Sequence, residues 1–294
     1  MQNNLLLIDG NSLFFKAFYG TVKRLESGYE RGKDGKPVNA IRSFAKMIMS
    51  LKKKFPNHYF LIAFDAKGTK TYRNEYSFYK AGRKKTPEEL YEQIIPSRVF
   101  LDLYGIKWTE NKFFEADDII GIVSKQAQRE GFHVDIITSD KDLLQLVDKE
   151  IDVYLSIKGV QTFDIHNLKN FYAKNGVKNP SQITDLKGIM GDSSDNLPGI
   201  KGIGKIGALK LINEYESLEN IIKNSDKLPA QVGKKVRDRK ELSLICKNIA
   251  TIIIEANTTF TLEDLKPTEP QRKKLITFLE KQNIYNIAKE FREA

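Results

Sequence analysis

Three apolar runs in this sequence each end in an aspartate: Asp9 after LLLI, Asp65 after YFLIAF, and Asp140 after VDIITS. A single acid at the end of a strand is ordinarily a turn former. Here the three are joined by EADD at 115–118, SDKDL at 139–143 and GDSSDN at 191–196. The candidate set is therefore Asp9, Asp65, Glu115, Asp117, Asp118, Asp140, Asp142, Asp192 and Asp195. Two like charges 4 Å apart repel by about 1 kcal/mol in water and about 4 kcal/mol at an effective dielectric of 20. Such a gathering needs cations, or protons on some of its members. All-oxygen ligation suits Mg²⁺ or Mn²⁺ better than zinc. The three histidines, His58, His133 and His166, show no metal-ligand spacing in the sequence. EADD has a simpler explanation as well, because acids in the first turn cap a helix and favour its dipole.

Beside the acids stand cations. From Lys67 to Lys85 there are seven Lys or Arg against one acid, and from Lys227 to Lys240 six against one. The remainder, from Glu241 to Ala294, is balanced, with eight of each sign. Charge concentrated in two segments of a chain of net charge +10 points to a polyanion. The first segment also interleaves Tyr72, Tyr76, Phe78 and Tyr79 with Lys70, Arg73, Lys80, Arg83, Lys84 and Lys85. Aromatic faces stack on bases while cations neutralise phosphates. With few apolar anchors, this segment is expected to be poorly ordered without its ligand. Hard-cation acids beside phosphate-binding cations describe metal-assisted hydrolysis of phosphodiesters.

A second polyanion signal is LPGIKGIGKIGALKLI at 197–212. No strand precedes it, so it is not a dinucleotide fingerprint, and no Gly-Lys-Ser/Thr follows, so it is not a Walker loop. Glycines at Gly199, Gly202 and Gly204 let backbone N–H groups approach a phosphate at a helix start, reinforced by Lys201 and Lys205. Apolar residues at helical spacing follow, as a helix-hairpin-helix requires. That motif grips the DNA backbone without reading its sequence.

These residues need a scaffold. Apolar runs at 5–9, 59–65, 134–140 and 151–156 read as strands, and helical periodicity covers 40–55, 96–106 and 115–131. This alternation predicts an α/β fold with a mostly parallel central sheet and helices on both faces. Ligands bind beyond the carboxyl ends of such strands, so the three strand-end aspartates should converge. The composition, 40% hydrophobic and 29% charged, is that of a globular protein with an adequate core. No apolar run reaches the roughly 18 residues of a membrane span, and Asp9 inside the first apolar stretch argues against a signal peptide. One cysteine, Cys246, permits no disulfide within the chain and no thiolate metal site, which fits a cytoplasmic protein.

Taken together, LIDGNS, FDAKG, YKAGR, EADD, TSDKDLLQL and GDSSDNLPGIKGIG resemble the motif series of the bacterial 5′ nuclease family, in order and spacing. That family includes the N-terminal nuclease domain of DNA polymerase I and phage flap endonucleases. The resemblance implies a PIN-like 5′ nuclease fold spanning 1–180 with a helical arch at about 66–95. A helix-hairpin-helix region at 181–262 and C-terminal helices at 263–294 would follow. It implies a structure-specific 5′-3′ exonuclease or flap endonuclease with two Mg²⁺ ions, for which Mn²⁺ would substitute. A monovalent cation could sit at the hairpin. Asp9, Asp65, Glu115 and Asp117 would hold one ion, and Asp118, Asp140, Asp142, Asp192 and Asp195 would hold or support the second. Lys80 and Arg83 would press on the scissile phosphate and Tyr79 would stack near the cleaved nucleotide. Arg73, Lys84, Lys85, Gly199, Lys201, Gly202, Gly204 and Lys205 would contact DNA. The substrate would be DNA with a free 5′ end at a flap, nick or duplex end, with RNA–DNA primer junctions a further candidate that the sequence does not decide, cut by a monomer associated with the nucleoid. The chain stops where a polymerase-fused relative would continue, so neither polymerase nor proofreading activity is expected. The competing readings are a PIN-like ribonuclease and a non-catalytic binder of DNA junctions.

Overall fold

The computed structural model describes residues 2–22, 28–83 and 85–293. Its centre is one six-stranded sheet: β1 (Asn4–Asp9), β2 (His58–Asp65), β3 (Lys107–Asn111), β4 (His133–Thr138), β5 (Ile151–Lys158) and β6 (Thr162–His166). The order across the sheet is β3-β2-β1-β4-β5-β6. β1 to β5 run parallel, and β6 returns antiparallel to β5. The four strands read from the sequence are present. β3 and β6, absent from that reading, are the two edges, and KWTEN and TFDIH are too polar to register as buried strands.

Strand β1 is apolar on both sides because both sides are covered. Leu5 and Leu7 enter one core, and Leu6 and Ile8 the other. The helices of the first half are α1 (Gly10–Val22), α2 (Asn39–Lys54), α3 (Glu88–Tyr91), α4 (Ile94–Tyr104) and α5 (Ala116–Arg129). On one face of the sheet α5 contributes Ile119, Ile120 and Val123. On the other, Ile41, Phe44, Ile48 and Leu51 of α2 are fully buried, as their spacing requires. Each such side chain stabilises the fold by about 1.5–3 kcal/mol relative to exposure.

The second half is helical: α6 (Phe171–Asn175), α7 (Gln182–Met190), α8 (Lys205–Tyr215), α9 (Leu218–Lys223), α10 (Ala230–Asp238), α11 (Lys240–Ala250), α12 (Arg272–Lys281) and α13 (Tyr285–Glu293). Leu186, Ile189, Ala208, Leu211 and Ile212 of α7 and α8 extend the α5 core. Leu275, Leu279 and Ile287 of α12 and α13 return to the α2 face. No helix among the described residues is long and apolar enough to cross a membrane.

This winding places the site. The chain starts at the middle of the sheet, builds β2 and β3 to one side, then crosses to build β4 and β5 on the other. The strand order reverses between β1 and β4, and such a switch point opens a crevice beyond the carboxyl ends. Asp9 closes β1 and Asp65 closes β2 at this crevice.

Candidate active site

A cleft of about 460 Å³ opens there, lined by Asp9, Asp65, Glu115, Asp117 and Asp140. Five acids thus come from four places: two strand ends, the first turn of α5 and the turn after β4. Each is held. The backbone N–H of Ser12 donates to Asp9 Oδ1 (2.9 Å) and Thr138 Oγ1 donates to Oδ2 (2.8 Å). Asp65 accepts from Asn11 Nδ2 (2.5 Å) and from the backbone N–H of Ala116 at the positive end of α5 (2.7 Å). Asp140 accepts from the N–H of Asp142 at 2.9 Å. Asn11 and Ser12, which the sequence reading passed over, follow Asp9 and Gly10 in LIDGNS.

The field of this cluster is severe. Burial pushes the Asp9 carboxyl up to about 7, reinforced by Asp65 and Asp140. Asp117 is raised well above the usual carboxylate range, first by burial and then by Asp9, Asp140, Asp65 and Asp142. Burial and Asp140 likewise lift Asp142 to about 7, although Lys187 opposes the rise. At neutral pH, these groups therefore hold protons or share cations. A set of carboxylate oxygens of this kind suits hard divalent ions.

Lys187 is a residue the sequence reading missed. Its ammonium joins Asp142 and Asp192, the latter at 2.5 Å, and its side chain is 8% exposed. Burial alone would raise Asp192, but Lys187 and Ser194 hold it down at about 2. The available signal was a lysine inside the otherwise apolar end of α7, in LKGIM. Asp195 pairs with Arg83 Nη2 at 2.6 Å.

Two candidates belong elsewhere. Asp118 is fully buried and faces away from the cleft. Arg73 donates to both its oxygens (2.6 and 2.8 Å), and the N–H groups of Ile253 (2.9 Å) and Glu115 (3.2 Å) complete its partners. It is the capping acid of α5 and the anchor of an internal ion pair. Arg73 is correspondingly 3% exposed and also donates to the carbonyls of Ile249 and Thr251, so it cannot reach a DNA backbone.

The basic segment is folded down over the acids. Its described part is a single 3₁₀ turn at Tyr72–Glu75 followed by tight turns, and α3 begins at Glu88. The sequence suggested few apolar anchors here, yet in the described residues the aromatics serve as anchors. Tyr76, Phe78 and Tyr79 pack on Leu197, Cys246, Ile249 and Ala250. Tyr79 Oη donates to Glu115 Oε2 (2.9 Å), and Lys80 Nζ donates to Glu115 Oε1 (2.8 Å). Lys80 sits at φ +55°, in the left-handed region that a lysine rarely adopts. Its N–H donates to the Asp195 carbonyl at 2.9 Å. Lys80 and Arg83 line the cleft with the acids. Lys85 is exposed, and Lys84 lies outside the described residues.

The glycine-rich turn links α7 to α8. Gly199 is buried, and a Cβ on it would lie 2.3 Å from Gly191 N, so this glycine closes the turn and offers nothing to DNA. Lys201, Gly202, Gly204 and Lys205 are exposed together at the start of α8. Gly202 has φ +82°, whereas Gly204 has φ −85°.

Comparison with known proteins agrees with this geometry. Residues 4–176 match the family described as 5′-3′ exonuclease, N-terminal resolvase-like domain, and residues 178–273 match 5′-3′ exonuclease, C-terminal SAM fold. The chain belongs to the 5′-3′ exonuclease family. It is 37% identical over 289 residues to the 5′-3′ exonuclease of Mycoplasma genitalium, covering 97% of this chain and 98% of that one. It is 38% identical over 288 residues to DNA polymerase I of Streptococcus pneumoniae, where it covers 97% of this chain but 32% of the polymerase. The chain spans about a third of the length of the DNA polymerase I relatives it matches. In fold it is similar to T5 5′-exonuclease solved with zinc ions (TM-score 0.68, 22% identity, 99% of each chain). It is also similar to the catalytic core of Rad2 with a DNA substrate (TM-score 0.63, 16% identity, 99% and 91% covered).

Proposed function

We propose that the chain is a structure-specific 5′-3′ exonuclease and 5′-flap endonuclease, leaving 5′-phosphate and 3′-hydroxyl ends. The observation that carries this is the convergence of five carboxylates and two cations on one cleft at the switch point of the sheet. Mg²⁺ is the resident metal of this reading, as two ions, with Mn²⁺ as a substitute. When bound, such ions supply Lewis-acid stabilisation of the charge that develops on the phosphate and the departing oxygen.

Asp9, Asp65, Glu115 and Asp117 would hold one ion; Asp140, Asp142, Asp192 and Asp195 would hold or support the other. Ser12, Thr138, Asn11 and Lys187 orient these carboxylates. Lys80 and Arg83 now neutralise Glu115 and Asp195. A bound phosphate would compete for both, drawing them off the acids as the acids take up metal. Binding and charge exchange are thereby coupled. Lys201, Gly202, Gly204 and Lys205 would grip the duplex backbone, with room in the role for a monovalent cation. The substrate is DNA with a free 5′ end at a flap, nick or primer junction, which suits replication and repair work by a monomer at the nucleoid.

The test is a 5′-flap duplex incubated with and without Mg²⁺, with the product ends mapped. Asp117→Asn and Asp140→Asn should abolish cleavage while flap binding stays within about threefold, since each loss removes charge stabilisation worth several kcal/mol. Normal turnover in either variant refutes the metal assignment. Cutting of an RNA flap but no DNA flap would refute the substrate.

A further inference from the structure

The cleft lies at the carboxyl ends of the strands. At the opposite end of the same sheet is a second group of side chains that the nuclease reading does not use. His133 and Asp135 lie two apart on β4 and project from one face. Asp135 stands directly opposite Asp152 on β5. His58, at the start of β2, shares its row through Asn4, which pairs with both His58 and His133. The sequence showed no metal-ligand spacing at these histidines, because the partners come from three strands.

One ligand atom each from His133, Asp135 and Asp152 falls within 4.8 Å of the others. His133 Nε2 is 3.4 Å from Asp135 Oδ1 and 3.9 Å from Asp152 Oδ2. Two donors about 2.0–2.1 Å from a tetrahedral ion stand about 3.4 Å apart, so the spacing is already near that of a ligand set. Two further observations point to a cation. Asp135 is 4% exposed, and its Oδ1 receives no hydrogen bond among the described residues. Its other oxygen faces His58 Nε2 at 3.0 Å. Moreover, Asp135 and Asp152 are like charges directly opposed across the sheet, an arrangement that destabilises it unless a cation lies between them.

We propose that His133, Asp135 and Asp152 form a second metal site, for a transition ion of the Zn²⁺ type. An imidazole among the donors favours Zn²⁺ over the hard ions of the cleft. His58 orients the Asp135 carboxylate from behind, and Glu150 Oε2 lies 3.6 Å from His133 Nδ1, beyond hydrogen-bond length, on the side of the other ring nitrogen. His133 and Asp152 keep part of their side chains in solvent, which gives the ion access and leaves a fourth position for water. Five residues of extended chain, roughly 16 Å, separate Asp135 from Asp140. The site is therefore structural, a clamp between β4 and β5, and it is independent of the nuclease assignment.

The experiment titrates the full chain with Zn²⁺ by calorimetry in excess Mg²⁺, which occupies the carboxylate cleft by mass action. It is repeated in the Asp117→Asn/Asp140→Asn chain. One Zn²⁺ per chain should bind in both, with a rise in melting temperature, and Co²⁺ should give the visible absorption of a four-coordinate site. His133→Gln should remove binding, the spectrum and the thermal shift, while flap cleavage in Mg²⁺ stays within about twofold of normal. Asp152→Asn, at a more exposed position that folding tolerates, should weaken zinc by at least about tenfold. The proposal is overturned if the folded chain binds no zinc under these conditions, which would leave the imidazoles to balance the two aspartates without a metal. It is equally overturned if zinc binds with unchanged affinity in both His133→Gln and Asp152→Asn.

Discussion

Asp117 and Asp118 are neighbours in EADD, yet the structure gives them opposite surroundings, the cleft for one and a buried arginine for the other, and Asn substitutions should separate them. Asp118 is completely buried, and its charge is matched by Arg73 at 2.6 and 2.8 Å. Asp118→Asn removes the two short contacts of a buried guanidinium and leaves it only the more distant Glu115 carboxylate, at 3.8 Å. Removing one partner of a buried pair costs about 3–5 kcal/mol, a large part of the roughly 5–15 kcal/mol that holds a domain together. At about 2–4 °C per kcal/mol for a large domain, the melting temperature should fall by roughly 10 °C. Asp117 is the reverse case: it is raised well above its ordinary range by burial and by four neighbouring acids. Asp117→Asn removes a charge that the metal-free fold resists, so the variant should melt at or above the parent in EDTA. The assay pairs thermal melts in EDTA with single-turnover cleavage in Mg²⁺. Asp118→Asn should lose stability and, below its melting point, retain most of its cleavage rate. Asp117→Asn should lose cleavage and keep stability. If Asp118→Asn melts like the parent but cannot cut, the internal-pair assignment is wrong and Asp118 serves the metals.

Three more outcomes follow from the same geometry. Lys80→Ala should slow single-turnover cleavage more than tenfold with little change in flap affinity, because an interaction made mainly in the transition state appears in the rate; a pure affinity loss would remove Lys80 from the chemistry. Gly204→Ala should leave stability unchanged, since a Cβ there meets nothing within 4 Å and φ is negative. It should weaken duplex binding equally across sequences by obstructing a backbone contact, and sequence-dependent loss would show another purpose. Asp9 and Asp142 titrate near 7 in the fold against an ordinary value near 3.8. The native state thus binds more protons than the unfolded one between about pH 4 and pH 7, and metal-free stability should decline across that window as pH rises. Mg²⁺ must displace those protons, so its affinity should climb over the same range; melts in EDTA that become more stable with rising pH would contradict this.

Much of the design was legible in the residues alone. Apolar runs ending in Asp9 and Asp65 specified parallel strands, and a parallel sheet brings strand ends together whatever the distance in sequence. Helical spacing named the buried face of α2, and glycine spacing named the hairpin, because both are local properties of the chain. Three things needed the tertiary structure. Whether an acid in EADD meets solvent or an arginine depends on the side of α5 that faces Arg73, which lies over forty positions away in sequence. The exposed-looking aromatics of the basic segment became anchors only once α11 offered Cys246 and Ile249 to cover them. Lys187, and the meeting of His133 with Asp135 and Asp152, arise from register and packing between separate elements, and no periodicity within one segment encodes the partner on another. Composition and period fix what each element can bury; which charges end up facing each other is decided only when the elements pack.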